Sequence, residues 1–204
     1  MKKKLFLPLL LAGMWATPAL ADPYVSASVG LGFIGNSDAS SSGLTVKDMI
    51  TYKTAVPFGA AVGIKNDGYR VEAALGYQAS DVDKIKNSSG VLAPVTGWSV
   101  SVLSYMANGY YDVAIKDSGV SPYLMAGFGG ASITAKIQGS SDETKSVFAW
   151  QVGAGVGIKT SDHVTVDLGY RYINPSDFTV SGGSGNMALS CSSSNILAGV
   201  RYGF

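Results

Sequence analysis

The 204-residue chain has the length of about one domain, and at 47% hydrophobic, 14% charged and 26 glycines it carries roughly half the usual charge and nearly twice the usual glycine. That composition excludes a disordered chain and fits an ordinary cytosolic enzyme poorly; it describes apolar surface on a tight backbone. The formal net charge is +1, and removing Lys2, Lys3 and Lys4 from the 15 Lys+Arg leaves 12 against 14 Asp+Glu, or −2, with no basic stripe for a nucleic acid.

Residues 1–21 have the form of a secretory signal peptide. Lys2 to Lys4 give a cationic start, Leu5 to Ala16 an apolar run, and Ala19 and Ala21 the small side chains a signal peptidase accepts. The cut is expected after Ala21, leaving 22–204 as the mature domain. The apolar run is too short to span about 30 Å of hydrocarbon and contains Pro8 and Gly13, so it is not an anchor. Met14 stands where a lipoprotein would need cysteine. Export makes cysteine usage informative, and Cys191 is the only one, so no internal disulfide can form. It lies among Ser190 to Ser194 with no base near it, which reads as an exposed loop thiol, with covalent dimerisation as the other reading.

From Tyr24 onward apolar residues recur at every second position, the strand period, in eight runs. The first, Tyr24 to Gly35, sets Val25, Ala27, Val29, Leu31 and Phe33 against Ser26, Ser28, Gly30 and Gly32. The second, Tyr52 to Ile64, sets Val56, Phe58, Ala60, Val62 and Ile64 against Ala55, Pro57, Gly59, Ala61 and Gly63. The third, Tyr69 to Ala79, opposes Val71, Ala73, Leu75 and Tyr77 to Arg70, Glu72, Ala74, Gly76 and Gln78. The fourth, Trp98 to Val113, has the weakest phase, with Leu103, Tyr105, Ala107 and Tyr111 opposite Met106, Asn108, Tyr110 and Asp112.

The fifth run, Ser121 to Ala135, points Leu124, Ala126 and Phe128 outward and Gly127 and Gly129 inward. The sixth, Val147 to Lys159, is the cleanest: Phe148, Trp150, Val152, Ala154, Val156 and Ile158 alternate with Ala149, Gln151, Gly153, Gly155 and Gly157. The seventh, Val164 to Ile173, opposes Leu168, Tyr170 and Tyr172 to Asp167, Gly169 and Arg171. The eighth, Asn195 to Phe204, opposes Ile196, Ala198, Val200, Tyr202 and Phe204 to Leu197, Gly199 and Arg201. These runs are as long as tilted membrane-crossing strands, which need about 9–11 residues.

Connections alternate in length. Tight turns are expected at Asn66 to Gly68, Lys116 to Gly119 and Thr160 to His163, and long polar ones at Asn36 to Thr51, Ser80 to Gly97, Lys136 to Ser146 and Asn174 to Ser194. In hydrocarbon a sheet must close to satisfy its backbone, so the pattern predicts an all-β, eight-stranded antiparallel up-and-down transmembrane β-barrel of the outer membrane, both termini periplasmic. Tyr24, Tyr52, Tyr69, Tyr77, Trp98, Tyr111, Trp150, Tyr170, Tyr172, Tyr202 and Phe204 fall near run ends and are expected to form the two interfacial girdles.

Asn108-Gly109-Tyr110-Tyr111-Asp112, Pro122-Tyr123 leading to Ala126-Gly127-Phe128-Gly129, Gln151-Val152-Gly153-Ala154-Gly155, Asp167-Leu168-Gly169-Tyr170-Arg171-Tyr172 and Val200-Arg201-Tyr202-Gly203-Phe204 resemble the opacity-protein-like family of eight-stranded bacterial outer-membrane barrels. The resemblance covers Asp22 to Phe204. It implies that the final strand, through Tyr202 and Phe204, is read by the barrel-assembly machinery. Its motifs are specific to the barrel and say little about activity; outer-membrane lipid and lipopolysaccharide are the expected surroundings, an extracellular ligand of the long loops is left open, and no peptidoglycan-binding domain is expected after the barrel.

Candidate chemistry is sparse. Gly30 to Gly35 matches a dinucleotide fingerprint, but a polar loop follows where a helix is required, so no cofactor is expected. His163, the sole histidine, falls in a predicted periplasmic turn, away from the external leaflet where lipid A-modifying barrels place a histidine, and no catalytic role is expected. Asp81 with Asp83, and Asp142 with Glu143, lack the spacing of a calcium site, so no metal is expected. The inward charges Arg70, Glu72, Asp167, Arg171 and Arg201 are expected to form a lumenal network, with Glu72, Asp167 and Arg201 at similar depth, Arg70 and Lys159 lower, and Arg171 higher. The function expected is envelope structure and surface presentation, not enzymatic; a narrow pore plugged by this network is the alternative, and a lipid-modifying enzyme the more distant one.

Overall fold

Strand periodicity sends successive side chains to opposite faces, and here one face is bulky and apolar while the other is small or polar. A sheet so built curls around its small-residue side. The computed structural model describes residues 21–35, 37–41, 44–86, 92–94, 97–137, 143–176, 178–182, 185–189 and 192–204. The proposed leader up to residue 20, Asp142 and Cys191 lie outside the described residues.

The barrel strands are β1 (Asp22–Ile34), β2 (Phe58–Asn66), β3 (Tyr69–Lys86), β4 (Trp98–Asp112), β5 (Val120–Ile137), β6 (Glu143–Lys159), β7 (Val164–Pro175) and β8 (Ser193–Gly203). Each pairs antiparallel with its sequence neighbours, and β8 returns to pair with β1 from Tyr24↔Gly203 to Ile34↔Ser193. The barrel is therefore closed, with no unpaired edge.

Register fixes the geometry. Following partners once around, Asp22 leads to Lys65, Arg70, Tyr110, Met125, Gly153, Arg171, Asn195 and back to β1 at Gly32. The circuit returns 10 residues higher on the same strand, a shear of 10. Eight strands with that shear tilt by about 43° from the axis and leave a bore that side chains can fill.

The outside is apolar. Val29, Leu75, Leu124, Phe128, Leu168 and Val200 are each about half exposed or more, and together such residues ring the barrel. Isolated in water, a belt this continuous would be untenable; in lipid it is the buried surface. Aromatic pairs border the belt: Tyr69 with Tyr111 and Tyr202 with Phe204 near the short turns, Phe58 with Tyr77 and Trp150 with Tyr172 nearer the long connections.

Several expectations need correction. Tyr24 is no girdle residue; it is 3% exposed and points into the lumen. The second run does not begin at Tyr52: the strand starts at Phe58 because Pro57 lacks an N–H, while the preceding stretch follows β1 through Gly32–Ala55 and Gly30–Pro57 backbone hydrogen bonds. Tyr52 belongs instead to a separate strand, Leu44–Tyr52.

The long connections are not plain loops. Ser37–Ser41 pairs with Leu44–Tyr52, and Phe178–Gly182 pairs with Gly185–Leu189, which in turn joins Ser37–Ser41. Leu44–Tyr52 and Leu92–Pro94 both pair with the far end of β3, which runs well past Ala79. The β5–β6 hairpin likewise continues to Ala135↔Glu143, carrying the cross-strand hydroxyl contacts Ser132–Ser146 and Thr134–Thr144, both at 2.9 Å.

Candidate functional site

The inward side chains make up the candidate site, and its floor lies toward the three short turns. Arg70 on β3 and Asp112 at the end of β4 come from adjacent strands, offset by one inward position in the ladder. Arg70 donates from Nε to Asp112 Oδ2 at 2.8 Å and from Nη2 to Oδ1 at 2.8 Å, a two-pronged grip. The guanidinium lies over the Tyr110 ring at 4.1 Å and near that of Tyr123 at 5.1 Å. On the opposite wall Arg201 donates from Nη2 to Asp167 Oδ1 at 3.1 Å, while its Nη1 faces Asp112 Oδ2 at 3.9 Å. Asp112 thus links the two pairs across the bore.

Glu72 is held without an arginine partner. Tyr24 and Tyr110 donate their hydroxyls to it at 3.2 and 3.0 Å, and Asn108 donates from Nδ2 at 3.1 Å. Asn108 in turn accepts from Gln151 Nε2, so a polar chain spans the wall from β6 to β3. Gln151 is 2% exposed and Asn108 likewise, and each is satisfied by this chain. Such connection offsets the cost of burying polar groups; among the described residues Arg201 Nε is the buried polar side-chain atom left without a hydrogen-bond partner.

Arg171 stands higher. Among the described residues it has no acid within ion-pairing distance. It lines two cavities of about 60 Å³ each, one below it toward Glu72, Asp167 and Arg201, and one above it toward Gln78, Gln151 and Asn195. Each has room for about four waters. The upper end is crossed by hydrogen bonds among Gln78, Ser193 and Asn195, and its β4–β6 side is filled by Met106, Ala131 and Ala149.

Of the five charges expected in the lumen, Arg70, Glu72 and Arg201 are buried, and Asp167 and Arg171 are partly so. The structure pairs Asp167 with Arg201, but separates Glu72 from any arginine hydrogen bond and Arg70 from both Glu72 and Asp167. Lys159 does not join them; it is exposed and pairs with Asp162 at 3.0 Å, and the ammonium holds the Asp162 carboxyl below its ordinary range. Asp112, the hub, was absent from the expected network, although its inward phase was readable. Its distance from Arg70 in sequence hid the contact, and only the β3–β4 register, in which Arg70 faces Tyr110, could have revealed it.

His163 is exposed in the β6–β7 turn, where its Nδ1 donates to the Gly203 carbonyl at 3.0 Å. Tyr202 and Phe204 point outward beside it.

A closed eight-stranded antiparallel barrel, apolar and ringed with aromatics outside, polar and ion-paired inside, is the architecture of an integral bacterial outer-membrane protein. The chain belongs to the outer membrane protein beta-barrel domain family, whose pattern matches residues 7–204. It is 32% identical over 138 residues to a 22 kDa outer membrane protein of Rhizobium leguminosarum bv. viciae, an alignment covering 66% of this chain and 58% of that one. The chain therefore spans less than two thirds of that relative's length. Among solved structures it resembles neisserial surface protein A, at 24% identity and a TM-score of 0.58 over 90% of this chain and 99% of that one. The outer membrane protein OprG of Pseudomonas aeruginosa superposes with a TM-score of 0.62 at 14% identity, over 89% and 96% of the two chains. These two likenesses establish the fold.

Proposed function

We propose that this outer-membrane protein is a structural and surface-presenting component of the envelope, non-enzymatic, whose long connections contact an extracellular ligand in the manner of an adhesin or surface antigen. In this reading the three short turns and both ends of the mature chain face the periplasm. Lipopolysaccharide surrounds the barrel, and the assembly machinery reads the strand ending in Tyr202 and Phe204. The observation that carries the proposal is the asymmetry of the two ends: one has three short connections, of two, seven and four residues, whereas at the other β3, β5 and β6 outrun the apolar belt and extra strands are added. The location of His163, exposed and bonded to backbone at the turn end, supports a non-enzymatic role.

An epitope tag placed between Lys86 and Leu92 should be reached by antibody on intact cells, and one placed at Asp117 only after permeabilisation. The opposite labelling would invert the barrel and remove the proposed contact surface.

A narrow pore is the second reading, and the two cavities flanking Arg171 favour it. A plugged barrel predicts a silent planar bilayer for the parent protein. Discrete conductance that changes on Arg201→Ala would replace the surface-presentation reading with the pore.

A further inference from the structure

The last strand of the barrel is held at its end by more than its ladder. Val164↔Tyr202 is the final rung between β7 and β8. Beyond it Gly203 N donates to the His163 carbonyl at 2.8 Å, and His163 Nδ1 donates back to the Gly203 carbonyl at 3.0 Å. The imidazole stacks on the Tyr202 ring, with centroids 5.9 Å apart and planes inclined by 25°, and Tyr202 meets Phe204 edge-on at 5.3 Å. Phe204 N then donates to the Pro23 carbonyl on β1 at 3.1 Å. One turn residue therefore grips the β8 end by its own backbone, a side-chain hydrogen bond and a ring contact.

The place of this grip matters for closure. The β1–β8 seam joins residues as far apart as Tyr24 and Gly203, which makes it the most non-local pairing in the barrel, and such contacts bear the largest loop-closure cost before they return any stabilisation. Without the grip, the end of β8 would be held on one edge by its last rung with β7 while the other edge awaits β1. We propose that His163 is a seam clasp: it fixes the end of β8 against the β6–β7 turn before β1 arrives, so that Tyr24↔Gly203 and Phe204–Pro23 form on an already ordered strand end. His163 is then a positioning residue whose effect lies in the rate of barrel closure. This role is independent of which end of the barrel faces the cell exterior.

The test is folding of the urea-unfolded mature chain into detergent micelles or short-chain lipid vesicles, followed by the faster migration of the unboiled band, with unfolding measured in the reverse direction. His163→Ala should slow folding roughly five- to tenfold and change unfolding less than about twofold, the pattern of a contact already made in the transition state. His163→Asn, which keeps a donor for Gly203 but loses the ring, should recover part of the rate. Asp162→Ala, which removes only the exposed Lys159 pair from the same turn, should fold like the parent. Parental folding of His163→Ala with faster unfolding would overturn the clasp in favour of a merely stabilising contact. Equal slowing by Asp162→Ala would overturn it by assigning the effect to the turn as a whole.

Discussion

Asp112→Ala is expected to destabilise the barrel by about 3–5 kcal/mol, because it strands a buried arginine instead of deleting a neutral contact. Arg70 is 3% exposed, and both of its hydrogen-bonding prongs end on Asp112. The same carboxylate also faces Arg201 at 3.9 Å, so its loss leaves two cations in a narrow bore with Asp167 and Glu72, which already accepts three hydrogen bonds, as the remaining acids of the floor. The measurement is the urea midpoint of the unboiled fast-migrating band. Replacing both partners, Arg70→Met with Asp112→Leu, should recover most of the loss, since neither charge then needs solvation. Lys159→Ala, which breaks an exposed ion pair, should leave the midpoint where it was. An Asp112→Ala protein with an unchanged midpoint would mean that water in the lumen, rather than the carboxylate, satisfies Arg70.

The second large effect concerns two adjacent glycines that face opposite ways. A Cβ added at Gly129 would lie 2.1 Å from the Tyr105 carbonyl oxygen and 2.9 Å from Met106 Cα, both backbone atoms of the neighbouring strand. A Cβ added at Gly130 would instead meet the far end of the Tyr105 ring, at 2.4 to 2.6 Å. Backbone locked in a ladder cannot retreat, whereas a lipid-facing ring can swing away. Gly129→Ala is therefore expected to cost more than about 3 kcal/mol or to prevent formation of the fast-migrating band, and Gly130→Ala less than about 1 kcal/mol. Comparable midpoints for the two variants would show that β4 and β5 can part locally.

How much of this was legible follows from where the alternation is chemically one-sided. In β6, Phe148, Trp150, Val152 and Ile158 face lipid while Gln151 and three glycines face inward, and the phase reads directly. In β4 both faces carry large rings and aliphatics, Tyr105 and Leu103 outside, Tyr110 and Met106 inside, so hydrophobicity alone separates them weakly; Asn108 and Asp112 decide the phase. Tyr24 misled because a tyrosine near a strand end suits an interface as well as it suits a lumenal donor to Glu72, although it shares the parity of the inward Ser26 and Ser28 and so could have been read as lumenal. Beyond the belt the outward positions turn polar, so Ser132 and Thr134 pair with Ser146 and Thr144 across the strands while Ile133 between them stays buried, and a run of mixed hydroxyls hides an alternation that the structure keeps. The lumenal contacts were the least accessible. Arg70, Asp112, Arg201 and Asp167 are distributed over four strands, and their meeting depends on a shear that only the closed circuit defines.

That shear also decides which changes of length the chain can tolerate. Because the circuit from Asp22 closes on Gly32, an even number of residues away, every inward position meets an inward position across the seam. One residue inserted within a strand would make the offset odd and turn polar side chains toward lipid along one seam, unless a bulge absorbed it. Two residues would restore parity but widen and tilt the bore, drawing Arg201 away from Asp112. Length can vary freely only where no circuit passes, in the connections. The wall is thus rigid in residue count and the rim is free, so variation among proteins built this way should accumulate at the ends of the strands and spare their middles.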